Sequence, residues 1–117
     1  MFYYITPVSK PRQTRADKWK KRPCVMRYRA FADEVRANEI EILSCGTEVT
    51  FFIPMPKSWS EKKKAEMSCK PHQQKPDIDN LLKALLDAVF KDDSHVYDIR
   101  ARKVWSSTAG IEVCKFK

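Results

Sequence analysis

Residues 75–96 read KPDIDNLLKALLDAVFKDDSHV. Leu81, Leu82, Leu85, Leu86 and Val89 recur at three- and four-residue spacing, which predicts an amphipathic helix. Asp79 or Asn80 is its expected N-cap, because a short polar side chain can accept from the open N–H groups of the first turn. Pro76 biases Lys75 toward extended backbone and so places Asp77 just ahead of the helix. Two apart on such backbone, Asp77 and Asp79 are expected to share a face. Carboxylates on one face repel unless a cation or a proton sits between them. Hard oxygen donors of this kind suit Mg2+ or Mn2+, completed by water and substrate phosphate.

Asp79, Lys83 and Asp87 follow at i, i+4 and i+8 along one side of the helix. Lys83 is placed either to neutralise this cluster or to touch a phosphate on which charge develops. Asp92 and Asp93 come after the helix, and a carboxylate returned from there would complete an Asp-rich pocket for metal-assisted phosphodiester hydrolysis. A plainer account uses the same residues. Asp79 caps the helix, Asp77 gains from the helix dipole, Lys83 forms a solvated ion-pair ladder with Asp79 and Asp87, and Asp92-Asp93 is a turn. The spacing admits both accounts.

Outward from this stretch the pattern is mixed. Phe2 to Thr6 is aromatic and β-branched and reads as a strand, followed by a long basic loop from Pro7 to Pro23. From Cys24 the spacing of Tyr28, Phe31, Ala32 and Val35 is helical, with Gly46 as the expected stop. Thr47 to Met55 is a near-continuous apolar run, closed by Pro54 and Pro56, and reads as a central strand. Ser58 and Glu61 have capping-box spacing, which predicts a short basic helix to about Met67. Ser68 to Pro76 is a polar loop. Val96 to Trp105 and Gly110 to Phe116 read as strands joined by a turn at Ser106–Gly110.

The chain of 117 residues fits one domain, and its 43% hydrophobic and 32% charged residues are those of a globular protein rather than a disordered one. No apolar run approaches the roughly 20 residues of a membrane span, and Met1 to Lys10 lacks a signal-peptide layout, so a cytosolic protein is expected. The net charge of +8 is concentrated. Between Lys10 and Arg29 nine basic residues face one acid, Asp17, while the rest of the chain sums to zero. Such a stretch, with Pro11, Pro23 and Trp19 inside it, suits an arm on a polyanion; a merely solvated loop is the alternative.

Cys24, Cys45, Cys69 and Cys114 form no CxxC pair and are expected as reduced thiols, mostly core or half-buried. Cys69 and His72 make half of a zinc pattern without the second pair that a four-ligand site needs. His72 and His95 are expected to be solvated loop residues. Trp19 is the better candidate for stacking on bases, and Trp59 for packing.

The stretch from Lys75 to Val96 closely resembles the core motif of the RusA family of Holliday-junction resolvases, found in phages, prophages and bacteria. The shared pattern is Asp-x-Asp-Asn, a lysine four residues after the second Asp, a further Asp on the helix, then Asp-Asp before a strand. The resemblance implies Asp77, Asp79 and Asp93 as metal ligands and Lys83 as a catalytic lysine. Asp87 is a supporting residue, and Asp92 takes the place of Asp93 if the register differs. It implies Mg2+ as cofactor, with Mn2+ able to substitute, and a single α+β domain over residues 1–117, with a mixed sheet flanked by helices, acting as a homodimer on four-way DNA junctions. Arg12, Arg15, Lys18, Lys20, Lys21 and Arg22 are the expected phosphate contacts. The chain departs from the family in the short connection Ala88–Lys91 ahead of Asp-Asp, and in a reduced first strand and turn. A nuclease for other branched DNA and a non-catalytic DNA- or RNA-binding protein are the rival readings.

Overall fold

The computed structural model describes residues 1–10 and 23–115. Three helices and four strands follow in the order β1 (Phe2–Tyr3), α1 (Pro23–Ala37), β2 (Thr47–Pro54), α2 (Glu61–Met67), α3 (Ile78–Val89), β3 (Ile99–Ser106) and β4 (Gly110–Lys115). The fold is α+β, and the sheet order is β1-β4-β2-β3.

β2 is central, as its apolar run predicts: β3 pairs with it in parallel and β4 antiparallel. The last two strands are therefore not the expected hairpin. β4 lies across β2 from β3, and residues 107–109 carry the chain past the end of β2. A central strand needs a neighbour along each edge, and β2 takes β3 on one and β4 on the other.

Alternation along β2 turns Val49, Phe51 and Ile53 into the core. They meet Ile111 of β4, Trp105 of β3, Phe31, Ala32 and Val35 of α1, and Leu81, Ala84, Leu85 and Ala88 of α3. Leu82, Leu86 and Val89 pack only partly against this core. The opposite sheet face carries the Phe2 and Phe52 rings, 5.3 Å apart, and a polar cluster in which Glu48 pairs with Arg102 and with Arg100.

Element boundaries differ from the sequence expectations for local reasons. β1 is two residues long rather than five. α1 ends at Ala37, where Asn38 turns back onto the Glu34 carbonyl and Glu39 adopts φ 51°. Gly46 is not its stop; at φ 75° it turns the chain into β2. Trp59 closes a turn by donating its N–H to the Pro56 carbonyl, so α2 starts after Ser60, whose Oγ accepts from the Lys63 N–H. Ser60, not Ser58, is the cap. β3 begins at Ile99 rather than Val96, because the Tyr97 and Asp98 N–H groups bond the Ser44 carbonyl outside the sheet. Among the described residues, no helix is long and apolar enough to cross a membrane.

Candidate functional site

Asp77 is the N-cap residue of α3, with extended backbone at φ −71° and ψ 145°. Its carbonyl accepts the Leu81 N–H, yet its carboxylate makes no capping hydrogen bond and is exposed. The helix thus begins ahead of the expected Asp79 or Asn80, with Ile78 as its first residue. Asp79 lies in the first turn, exposed, and one of its oxygens accepts from the Asn80 N–H at 3.0 Å. One carboxylate on extended backbone and one on the helix sit at the positive end of the α3 dipole, which favours their charge. Asp79 is not the N-cap residue, yet its side chain does satisfy one of the open N–H groups of the first turn.

The ion-pair ladder is not formed either. Asp87 pairs instead with Lys10, reached from 77 residues away. The Lys10 Nζ also lies 6.0 Å from the centre of the Tyr28 ring. Its hydrogen bond to Asp87 holds the Lys10 pKa above the usual lysine value, and the charges of Asp87 and Asp93 add to this. Lys10 is therefore anchored rather than part of a free arm. Lys83 stays exposed, without an ion pair among the described residues.

Asp92 and Asp93 differ in their surroundings. Asp92 Oδ1 accepts the Ser94 N–H at 3.0 Å, an Asx turn that holds its carboxyl below the usual range. Asp93 is half-buried, and its charge is felt at Lys10. Among the described residues, no three His, Cys, Asp or Glu side chains are gathered as a set that could hold a metal. The donors still fit a hard divalent cation in kind. Asp77 and Asp79 supply oxygen only, are exposed and form no ion pair among the described residues, and Asp77 borders open space. A groove of about 450 Å³ opens there, lined by Ser9, Lys75, Pro76, Asp77 and Asn80. A Mg2+ site needs no more than one or two carboxylates when water and phosphate complete it.

Two residues take positions that the sequence does not announce. Lys103 lies on the core-facing side of β3, between Ala101 and Trp105, and opposite Phe51 of β2. Its ammonium donates to the carbonyls of Gln74 and, at 2.6 Å, Pro76. A lysine in phase with an apolar strand face was the available signal. His72, expected to be solvated, is buried at 4% exposure with its ring centre 4.3 Å from that of Trp105. It is carried inward because residues 69–72 run along the outer edge of β3, with the His72 N–H bonded to the Lys103 carbonyl. Burial first, then the Lys103 charge, pushes the His72 pKa down.

Other expectations resolve more simply. His95 is exposed, edge-on to Phe90 at 4.7 Å. Trp59 packs against Trp105 at 4.8 Å, and the Lys63 ammonium lies 4.4 Å from its ring centre. Cys45, Cys69 and Cys114 are free and exposed, not core or half-buried: Cys45 and Cys69 fall at turns, and Cys114 lies in β4 opposite Glu48, on the sheet face away from the core. Arg12, Arg15, Lys18, Trp19, Lys20, Lys21 and Arg22 lie outside the described residues.

The chain is 39% identical over 74 residues to the uncharacterized protein YqaN of Bacillus subtilis (strain 168), a match covering 56% of this chain and 52% of that one. The chain thus spans about half the length of this curated relative. No solved structure matches it. The family described as Endodeoxyribonuclease RusA matches residues 4–114, nearly the whole length, motif and flanking elements together. By this match the chain belongs to the RusA endodeoxyribonuclease family.

Proposed function

We propose that this chain is a Mg2+-dependent, structure-selective endonuclease that resolves four-way DNA junctions by paired phosphodiester hydrolysis. The observation that carries the reading is the pair Asp77 and Asp79 at the start of α3, on a chain of this family. Among the described residues neither carboxylate forms an ion pair, and the Asp77 side chain makes no capping hydrogen bond. In this reading Asp77 and Asp79 hold the metal together with Asp93. Asp93 is preferred to Asp92, whose oxygen is occupied by the Ser94 N–H. When bound, a divalent cation activates water and offsets charge on the phosphate.

The chain's own residues supply binding and orientation. Lys83, one turn beyond Asp79 and exposed, is placed to contact the phosphate undergoing cleavage. Asp87 supports the site through Lys10. The Lys10 backbone N–H meets the Asn80 carbonyl at 3.4 Å, so Lys10 itself lies beside the start of α3. Arg12, Arg15, Lys18, Lys20, Lys21 and Arg22 then bind DNA phosphates. Paired cuts across a junction call for two sites related by a two-fold axis, hence a homodimer of this one domain, residues 1–117, working in the cytoplasm.

The test is cleavage of a labelled four-way junction beside linear duplex, with Mg2+, with Mn2+ and with EDTA. Metal-dependent paired nicks in the junction alone are expected. Cutting of flaps or forks at equal rate would move the reading to a nuclease for other branched DNA. Folded protein that binds DNA and never cuts would make it a binding module.

A further inference from the structure

We propose that Lys103 is a positioning residue for the Asp77 carboxylate, acting through the backbone of residues 74–76; the assignment rests on the nuclease reading above. Lys103 occupies a core-facing position of β3, where an apolar side chain is the rule. Placing an ammonium there carries a desolvation cost unless it finds strong acceptors. It finds two, the carbonyls of Gln74 and Pro76, and spans the polar loop that leads into α3.

Pro76 is the residue before Asp77, so one end of the Asp77 peptide unit is tied to the sheet by Lys103. The other end is tied to the helix, because the Asp77 carbonyl accepts the Leu81 N–H. The Asp77 side chain has no capping bond of its own. Its direction into the groove is therefore set by backbone placement, and Lys103 is the side chain that fixes this placement. The outer edge of β3 reinforces the arrangement. The Trp105 N–H bonds the Lys70 carbonyl at 3.0 Å and the His72 N–H bonds the Lys103 carbonyl at 3.1 Å, so the loop leaves a strand-like edge already in register. Sheet, loop and helix converge on one carboxylate.

The experiment compares the full-length wild type with Lys103→Met, which keeps the stem and removes the charge. Mn2+ affinity is measured by titration calorimetry without DNA, and the Mg2+ dependence of junction cleavage is measured separately. Loss of a residue that orients a ligand typically weakens metal binding about ten- to a hundredfold. Lys103→Met is expected to weaken Mn2+ binding by at least about tenfold, to regain cleavage at high Mg2+, and to keep its affinity for junction DNA. Hydrogen exchange should speed up in residues 74–81 and stay unchanged in β2. If Lys103→Met does not fold, Lys103→Arg replaces it: the longer planar head shifts the two carbonyls, and the same loss of Mn2+ affinity is expected. Unchanged Mn2+ affinity in a folded variant overturns the proposal, as does weakened DNA binding with metal affinity intact. Wild type that neither binds Mn2+ nor cuts defeats the nuclease reading itself, which is a separate result.

Discussion

Lys10 and Asp87 form an ion pair that fastens the start of the basic stretch to the last turn of α3. Both side chains are 27% exposed, between a surface pair and a buried one. Removing either partner is expected to cost about 1–2 kcal/mol, and a double-mutant cycle of Lys10→Ala and Asp87→Asn should show clear coupling. For a domain of this size each kcal/mol lowers Tm by about 4–8 °C. The sign follows from the raised Lys10 pKa: the contribution is complete below the ordinary lysine value of 10.5 and is lost only as pH rises through the folded value. Measured at neutral pH, additive single-mutant effects would show that the pair contributes nothing.

Asp77→Asn, Asp79→Asn and Asp93→Asn are each expected to reduce junction cleavage at least about a hundredfold. Junction affinity should be kept or increased, since each change removes a negative charge facing phosphate. Asp92→Asn is the contrasting variant, because its oxygen already serves the Ser94 N–H. It should retain most activity and lose some stability. Single-turnover cleavage at saturating Mg2+ distinguishes these outcomes, and full activity in any of the first three retires that residue as a ligand.

Junction affinity should fall steeply with salt. Each phosphate contact contributes close to one unit to the slope of log affinity against log salt on duplex arms. Replacing Arg12, Arg15 and Lys18 by Ala should therefore flatten the slope by about three units. A binding titration at several salt concentrations measures it, and an unaltered slope would take those residues out of the interface.

His72 is expected to make stability depend on pH. Its folded pKa is lowered from the ordinary 6.5 by burial and by Lys103, so the unfolded chain takes up a proton more readily than the folded one. Stability is expected to fall as pH drops below about 6.5, toward the lower folded value. Urea midpoints at pH 7.5 and pH 5.5 should differ in wild type by more than in His72→Gln. Equal differences would assign the acid sensitivity to other groups.

The sequence carried α3 and its aspartates well and the connections poorly. The period of Leu81, Leu85 and their neighbours identified α3, and the apolar run from Val49 to Ile53 identified a central strand, because burial writes itself into local spacing. Pairing does not. Nothing near Ser106 or Gly110 tells β4 to settle on β2 in place of β3, since that choice depends on which edges of β2 are open. The aspartates were readable as a motif, but their surroundings were not: whether Asp77 or Asp79 is the N-cap residue of α3 depends on where Ile78 packs, and what sets Asp92 apart from Asp93 is a single Asx turn. His72 was misread because a polar neighbourhood in sequence lies against Trp105 in space. Lys103 was passed over because a lone lysine in a strand looks like an edge charge until its partners are known.

The parallel pairing of β2 with β3 has a consequence for the order of assembly. Thr47 opposes Ile99, so about fifty residues, including α2 and α3, must be traversed before the two strands can meet. During synthesis, a chain that has emerged only through α3 already holds Asp77 and Asp79 but not the strand that fastens their loop. The loop ahead of Asp77 is therefore expected to become ordered only after β3 has been made.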